Sequence, residues 1–162
     1  MSSFKVRVTK DYAVFCAGHF ITYEGDKCEP LHGHNYRTAV SLEGDLDENS
    51  YVFNFVTLKK LMRGICDRLD HRMLLPLSNA RIKVEDDGDH VRATYNGKRY
   101  LFPKSDVVLL PIPNTTAEML ACWIAGELRK ALDAAPLGAV EVEVEESFGQ
   151  RAFYREELRG RG

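Results

Sequence analysis

HGHNYRTAVSLEG, residues 32–44, alternates apolar and polar side chains along most of its length. Because successive side chains of a β-strand point to opposite faces, this alternation predicts a strand with one face in a core. The same parity runs back through His34 to His32, so both imidazoles are expected on the core side. The other residues on that face are Tyr36, Thr38, Val40 and Leu42.

Three other segments carry strand patterns. FKVRV (residues 4–8) alternates in the same way, and YAVFCAGHF (residues 12–20) has the apolar character of a more fully buried strand. In residues 139–146 valines alternate with glutamates, so the valines are expected in the core and the glutamates in solvent. This segment is predicted to be the last strand.

Two amphipathic helices are predicted. The first spans residues 56–69, where apolar residues recur every three or four positions. The second begins near Thr116, because Thr115 and Glu118 fit a capping box, and it ends at Pro136-Leu137-Gly138. The expected core stripes are Leu58, Leu61, Met62, Ile65 and Leu69 in the first helix, and Leu120, Ile124, Leu128 and Leu132 in the second.

Residues 81–102 indicate an extra β region between the helices, because Asp87-Gly88 and Asn96-Gly97 are strong turn signals. Strands joined by short turns, together with two amphipathic helices, predict an α+β fold with an antiparallel sheet. A length of 162 residues is typical of one domain. We therefore expect a single domain over residues 1–162, with a β-hairpin insertion at about 81–103.

The composition is that of an ordinary globular protein. Hydrophobic residues make up 44% and charged residues 28%, and the net charge of −2 gives no electrostatic case for nucleic acid or an anionic membrane as partner. No stretch approaches membrane-spanning length, and the N-terminus lacks the apolar run of a signal peptide. The four cysteines form no CxxC pair. We expect a soluble protein in the reducing cytoplasm.

Three histidines suggest a metal site. His32 and His34 project to the same side of an extended segment, and His19 reaches the same point if its strand pairs with theirs. Three imidazoles without a fourth protein ligand are typical of catalytic zinc, because one position stays open for water or substrate. The alternative is that HGH is a turn with two solvated imidazoles.

Four other residues are candidates for proton transfer. Cys28 lies in a polar loop four residues before His32, where a nearby cation would lower the pKa of its thiol; the alternative is a small buried hydrophobe. Glu29 follows it directly. Asp70 and His71 come directly after the first helix, where an aspartate can orient an imidazole; the alternative is a solvated pair at a helix end.

Glu146 is the most informative carboxylate. Counting by twos from Val140 reaches Glu146, so it points with the valines and not with the solvent-facing glutamates. A carboxylate at the end of an apolar face is costly unless a partner satisfies it, and a ligand with paired N–H donors would do so. The alternative is a strand that frays or bulges before Glu146 and leaves its side chain exposed.

These segments, in their order along the chain, resemble the family of 6-pyruvoyl-tetrahydropterin synthase and 6-carboxytetrahydropterin synthase (QueD). FCAGH and CEPLHGHNY resemble the segments with the zinc histidines and the catalytic thiol. VFNFVTLKKLM resembles the entry to the first helix, with Asn54 where aspartate is usual. The other similar segments are LDHRML, PNTTAEMLACWI and VEVEESFGQRAFY.

The resemblance implies the tunnelling fold (T-fold), a four-stranded antiparallel sheet with two helices on one face. Such subunits form trimeric barrels that stack into a homo-hexamer, with active sites between subunits. The implied substrate is 7,8-dihydroneopterin triphosphate.

The resemblance also implies a role for each candidate residue. His19, His32 and His34 would hold Zn²⁺, which acidifies a carbon-bound proton of the substrate. Cys28 would remove a proton, and His71, oriented by Asp70, would donate or relay protons. Glu146 would anchor the pterin, with Thr115 and Thr116 helping at its edge.

The spacing in CEPLHGH resembles the 6-carboxytetrahydropterin synthase type, C-x3-H-G-H, more than the mammalian pyruvoyl type, C-x5-H-G-H. Glu29 also stands at the glutamate of an E-x2-H-G-H subclass that releases 6-hydroxymethyl-7,8-dihydropterin for folate synthesis. The double pattern resembles that of bifunctional bacterial members. The alternatives are a 6-pyruvoyl-tetrahydropterin synthase, a non-catalytic pterin- or purine-binding zinc protein, and Glu29 as a simple loop carboxylate.

Overall fold

The computed structural model describes residues 3–132 and 136–158. Its helices are α1 (Phe55–Leu69) and α2 (Ala117–Ala131). Its strands are β1 (Phe4–His19), β2 (Thr22–Tyr23), β3 (Lys27–Cys28), β4 (His32–Gly44), β5 (Arg72–Pro76), β6 (Lys83–Asp87), β7 (His90–Tyr95), β8 (Lys98–Pro103), β9 (Val107–Leu110), β10 (Leu137–Ser147) and β11 (Gln150–Glu157).

The main sheet has the strand order β11-β10-β4-β1-β5-β9. The four strands from β11 to β1 pair antiparallel, which confirms the expected antiparallel sheet. Strands β5 and β9 extend it in parallel, and they were not predicted. Each is a short apolar run without alternation, MLLP and VVLL, so its sequence has no period that would distinguish a buried strand from other buried segments.

Strand β1 corrects the expectation of two separate strands in residues 4–8 and 12–20. They form one long strand, and its register with β4 shifts between Thr9 and Val14. Such an irregularity lets a strand bend without ending. After the shift the pairing places His19 directly opposite His32, and Ala17 opposite His34.

Strand β11 corrects the expectation that residues 139–146 form the last strand. It pairs antiparallel with β10 at the edge of the sheet. Its inner residues, Ala152 and Tyr154, are half-buried, whereas the outer Arg151, Phe153 and Arg155 are exposed. The alternation is therefore present, but charged side chains on both faces hide it.

Both helices pack on one face of the main sheet and enclose the principal core. The expected stripes are confirmed, because Leu58 and Met62 of α1 and Leu120 and Ile124 of α2 are fully buried. Neither helix in the described ranges is long and apolar enough to span a membrane. Residues 133–135, which precede the predicted end of the second helix at Pro136, lie outside the described residues.

The helix caps explain one unusual residue and correct one prediction. Asn54 caps α1, because its side-chain oxygen accepts hydrogen bonds from the N–H groups of Val56 and Thr57. As an N-cap, asparagine is about as favourable as the aspartate that is usual at this position in the family that the sequence resembles. The cap of α2 is Thr116 and not Thr115. The capping-box pattern with Glu118 favours Thr115, but Thr115 instead contacts the buried His19, and the next residue caps the helix.

Strands β6, β7 and β8 form a separate antiparallel sheet, which replaces the expected single hairpin by three strands. Both turn signals are confirmed: Gly88 and Gly97 have φ values of +66° and +84°, which glycine adopts without strain. The three-stranded sheet packs its apolar face against Phe20, Met73 and Leu75 in a second hydrophobic cluster. This sheet therefore rests on the residue that follows His19.

The face of the main sheet away from the helices carries ion pairs. Lys5 binds Glu141 at 3.0 Å, and Arg7 and Arg151 both bind Glu143, which is only 6% exposed. The glutamates expected in solvent therefore have cationic partners on neighbouring strands. Such cross-strand pairs favour the observed register, since a one-residue slip would separate the charges.

Candidate metal centre and active site

The three histidines lie side by side where β1 ends and β4 begins. Their ring centroids are 4.8 to 5.0 Å apart. The ligand atoms of His19, His32, His34 and Glu146 all lie within 4.8 Å of one another. The prediction that pairing of the two strands would bring His19 to the HGH motif is confirmed by this geometry.

His19 is fully buried and is held in one orientation. Its Nδ1 lies 2.9 Å from the carbonyl oxygen of Thr115, which can only accept, so Nδ1 carries the proton. Its Nε2 is therefore an unprotonated acceptor, and it is buried without a hydrogen-bond partner. An unpaired buried polar atom is costly, whereas a metal ion bound to Nε2 would satisfy it. A backbone carbonyl on the far nitrogen is the usual support of a metal-bound imidazole.

His32 has the same arrangement. Its Nδ1 lies 2.8 Å from the carbonyl oxygen of Pro30, so Nε2 faces the cluster. This Nε2 lies 3.1 Å from Nε2 of His34. Two ring nitrogens that face each other at this distance need a proton or a cation between or beside them. Burial lowers the pKa of His34, which favours the neutral, metal-binding form of its imidazole.

Glu146 projects from β10 into the same cluster, as the alternation from Val140 predicted. Its Oε1 lies 2.8 Å from Nε2 of His34 and 3.6 Å from Nε2 of His19. The His19 ring is the main cause that holds the pKa of the Glu146 carboxyl below its ordinary value, although burial acts against it. The carboxylate is therefore charged at neutral pH, and Nε2 of His34 is its nearest partner.

These four residues fit a divalent metal ion. Imidazole nitrogens with a carboxylate oxygen are ligands of zinc and of other transition metals. The buried, unpaired Nε2 of His19 is the observation that favours a cation over a network of hydrogen bonds. The expected ligand set is thus brought together, with Glu146 as a fourth group within reach of the same ion.

Glu29 lies beside this centre, directly after Cys28, which is the last residue of β3. Oε2 of Glu29 lies 3.2 Å from Nε2 of His32, so this carboxylate faces the cluster. Cys28 is half-buried at the edge of the second hydrophobic cluster. Burial raises the pKa of its thiol, the ammonium of Lys98 lowers it, and Glu29 raises it. Lys98 comes from the three-stranded sheet, and sequence reasoning missed it.

Asp70 and His71 lie elsewhere in the same chain. Oδ1 of Asp70 accepts the backbone N–H of Cys16 at 2.8 Å, and Oδ2 lies 2.8 Å from Nδ1 of His71. The Cys16 N–H is the main cause of the lowered pKa of Asp70. In the part of the chain that the structure describes, neither residue has a polar contact with the histidine cluster or with Cys28. The pair lines a cleft of about 800 Å³ together with Cys16 and Asn35.

His71 has an unusual backbone conformation. Its φ of +57° is unusual for a residue other than glycine, and its side chain is 81% exposed. Its N–H donates to the carbonyl of Cys16 at 2.7 Å, which helps to hold this conformation. Asp70 therefore orients an imidazole that is open to solvent, as the sequence suggested for this pair.

Thr115 and Thr116 make hydrogen bonds that hold other parts of the chain in place. The carbonyl of Thr115 holds His19, and its hydroxyl lies 3.3 Å from the same Nδ1. Thr116 caps α2 through Met119 N–H. Tyr36 was missed as a site residue, although it shares the face of His34: its hydroxyl lies 3.2 Å from Nδ1 of His19. Strand parity was the signal that could have identified it.

Comparisons with known proteins agree with this geometry. The family model described as 6-pyruvoyl tetrahydropterin synthase matches residues 7–157. A Methanocaldococcus jannaschii protein, provisionally named 6-carboxy-5,6,7,8-tetrahydropterin synthase, is 36% identical over 89% of this chain and 90% of its own length. The dihydroneopterin monophosphate aldolase of Pyrococcus furiosus is 40% identical over 74% of this chain and 73% of its own.

A solved structure extends the likeness to three dimensions. A Plasmodium vivax 6-pyruvoyltetrahydropterin synthase, a mutant in which a catalytic glutamate is replaced, superimposes with a TM-score of 0.90 at 29% identity. The match covers 98% of this chain and 100% of that one. The expected T-fold is confirmed. The chain belongs to the 6-pyruvoyl tetrahydropterin synthase family, and it is a pterin synthase of the lyase type.

Proposed function

We propose that the protein is a zinc-dependent 6-carboxytetrahydropterin synthase that acts on 7,8-dihydroneopterin triphosphate. The observation that carries this proposal is the convergence of three histidines on one point, with a buried unpaired nitrogen, beside a loop that offers a thiol and a carboxylate. The M. jannaschii relative, which covers most of the chain, supports the carboxy type over the pyruvoyl type.

In this proposal His19, His32 and His34 hold the zinc ion. When bound, zinc supplies Lewis-acid polarisation of the substrate's side-chain oxygens, which makes the adjacent C–H groups more acidic. The carbonyl of Thr115 accepts a hydrogen bond from Nδ1 of His19, and that of Pro30 accepts one from Nδ1 of His32. These bonds orient the Nε2 atoms of both rings before the metal binds. Burial of His19 keeps competing water away from one side of the site.

Cys28 is assigned the role of the base. Burial raises the pKa of its thiol above the ordinary value, and Lys98 only partly opposes this, so a cation bound at the nearby metal centre would be needed to favour the thiolate. As a thiolate it would take the proton from the side-chain carbon next to the bound oxygens. His71, oriented by Asp70, would donate a proton to the substrate, while the triphosphate leaves with the electron pair of its C–O bond. For the carboxy product, addition of water and cleavage of one C–C bond would release the other two side-chain carbons as acetaldehyde.

Asp70 and His71 would come from a neighbouring subunit. Within one chain they have no polar contact with the cluster in the described ranges, while His71 is open to solvent. A homo-oligomer with active sites between subunits, in the form of a dimer of trimers, would bring the two halves together. We also place the enzyme in the cytoplasm, where its four free cysteines would remain reduced.

Glu146 is assigned to the pterin ring. A carboxylate can accept two parallel hydrogen bonds from a ring N–H and its amino group, and such charged pairs are stronger than neutral ones. The alternative is that Glu146 is a fourth metal ligand, because its Oε1 lies 2.8 Å from Nε2 of His34. Thr115 and Thr116 are assigned an indirect role at the edge of the pterin. Thr115 acts through His19, which it holds, and Thr116 acts through α2, which it caps.

Glu146→Gln separates the two roles of this carboxylate. If Glu146 anchors the pterin, the variant keeps its zinc and its KM rises about ten- to hundredfold, since a charge-assisted hydrogen bond contributes about 1.5–3 kcal/mol. Zinc content by elemental analysis and steady-state kinetics measure both. The matched control is Glu145→Gln, whose carboxylate lies on the opposite face and binds Arg151. Loss of zinc from Glu146→Gln would instead identify a ligand.

A second activity is favoured by Glu29. Its carboxylate lies 3.2 Å from Nε2 of His32, whereas a simple loop carboxylate would point to solvent. The P. furiosus relative is a dihydroneopterin monophosphate aldolase, and a glutamate is the catalytic residue replaced in the P. vivax structure. We therefore propose that Glu29 serves carbon–carbon cleavage, which would release 6-hydroxymethyl-7,8-dihydropterin.

The test is direct. The zinc-loaded protein is incubated with 7,8-dihydroneopterin triphosphate, and the products are separated by chromatography with mass detection. We expect 6-carboxytetrahydropterin as the main product, with 6-hydroxymethyl-7,8-dihydropterin beside it. Removal of the metal with a chelator is expected to abolish both. A pyruvoyl product alone would assign the alternative type, and no turnover under conditions in which another family member works would refute the proposed substrate.

A further inference from the structure

Cys28 is the last residue of the β2–β3 hairpin, and Glu29 is the first residue of the loop that leads from it to β4; the two residues are called the catalytic loop below. The hairpin has only two residues on each strand, and its turn contains Glu24 and Gly25, both with positive φ. The backbone bond of the catalytic loop to the preceding segment runs from Glu29 N–H to the carbonyl of Ile21, at 3.0 Å. A hairpin of this size is not stable alone, so other contacts have to fix its geometry.

The three-stranded sheet β6–β8 supplies those contacts. The hydroxyl of Tyr95, at the end of β7, donates a hydrogen bond to the carbonyl oxygen of Asp26, inside the hairpin turn. Tyr95 itself is 9% exposed and belongs to the second hydrophobic cluster, against which Cys28 packs. The loop is therefore tied to a side chain that packing holds in place.

Further interactions connect this sheet, and the segment just before it, to the surroundings of the site. The ring of Tyr100 stacks on Phe20, next to His19, with centroids 4.9 Å apart. Asn79, just before β6, donates to the hydroxyl of Thr22 at 3.1 Å and to the carbonyl of Pro113 at 2.8 Å. Lys98 pairs with Tyr95 across the β7–β8 turn, and its charge acts on Cys28. The β7–β8 turn thus acts on the catalytic loop in two ways: through the hydrogen bond of Tyr95 and through the charge of Lys98.

We propose that Tyr95 is a positioning residue for Cys28 and Glu29, and that the sheet β6–β8 is the support that holds the catalytic loop against the metal centre. This inference rests on the proposed role of Cys28 for its effect on turnover. Its physical part, the immobilisation of the loop, does not depend on the substrate. No other contact in the described ranges joins β7 to the backbone of the hairpin turn by a hydrogen bond.

Tyr95→Phe tests the proposal, with Tyr100→Phe as the matched control in the same sheet. Each change removes one hydroxyl and keeps the ring. In Tyr95→Phe we expect alkylation of Cys28 by iodoacetamide, followed on its peptide by mass spectrometry, to be about fivefold faster, which is the effect of one lost net hydrogen bond. Amide exchange of residues 24–29 is expected to accelerate to a similar extent. Cys16, which is exposed on β1, is the internal standard for alkylation.

The kinetic arm distinguishes positioning from general loss of stability. We expect kcat of Tyr95→Phe to fall about fivefold or more with an unchanged KM and an unchanged zinc content, while Tyr100→Phe remains like the wild type. Alkylation and amide exchange are measured without substrate, so they decide the proposal even if the substrate is a different one. Equal exchange, alkylation and kcat in the two variants would overturn it.

Discussion

Cys28→Ala is expected to lose the carboxy- or pyruvoyl-type product about 10²–10⁴-fold, which is the contribution of a positioned general base. It is expected to keep part of the 6-hydroxymethyl-7,8-dihydropterin activity. Glu29→Gln should show the opposite selectivity. The physical reason is that the two groups approach the centre separately: the Glu29 carboxylate lies 3.2 Å from His32, whereas Cys28 lies at the edge of the second hydrophobic cluster.

The control for this pair of variants comes from the same hairpin. Glu24→Gln removes a carboxylate that is exposed and bound to Lys27 at 2.7 Å, so it changes the charge of the loop without touching the cluster. It is expected to leave the ratio of the two products unchanged. Products of each variant are quantified from the same zinc-loaded preparation. Equal loss of both products in Cys28→Ala and Glu29→Gln would mean one shared proton path, and an unaffected Glu29→Gln would make Glu29 a loop carboxylate.

The parts of the site that the sequence predicts are those with a period. In β4 the period of two places His32 and His34 on the face of Tyr36, and in β10 it places Glu146 on the face of Val140. Since one face of each strand is buried, a slip by one residue would expose every apolar side chain, so parity is a strong constraint. Side-chain direction could therefore be predicted before any contact was known.

The parts that the sequence does not predict depend on tertiary contacts. After the exposed Arg72, β5 is apolar on every residue, as is β9, so no period distinguishes them. Strand β11 is an edge strand whose charged residues hide its alternation. The role of Thr115 depends on His19, which is 96 residues away along the chain. The proximity of Lys98 to Cys28 likewise follows from how one sheet packs on another, and a local pattern carries no signal for it.

Mixing two inactive variants is expected to restore activity if the active site lies between subunits. Cys28→Ala lacks the base, and His71→Ala lacks the proposed proton donor. In a shared site the two residues come from different chains, so about one quarter of the sites in a random mixture receive both intact halves. Each variant alone is expected to be reduced about 10²–10⁴-fold, which makes a recovery of this size easy to measure.

The matched control is a mixture of Cys28→Ala with His34→Ala. Both residues belong to the half-site that one chain supplies, because His34 contacts Glu146 and His32, and His32 in turn contacts Glu29, next to Cys28. No assortment of these chains gives an intact site, so no recovery is expected. Native mass spectrometry establishes that mixed oligomers form in both cases. If they form and neither mixture recovers, the shared site is wrong. Recovery only in the first mixture requires that the exposed imidazole of His71, held at a positive φ by Asp70 and Cys16, acts on the metal centre of another chain.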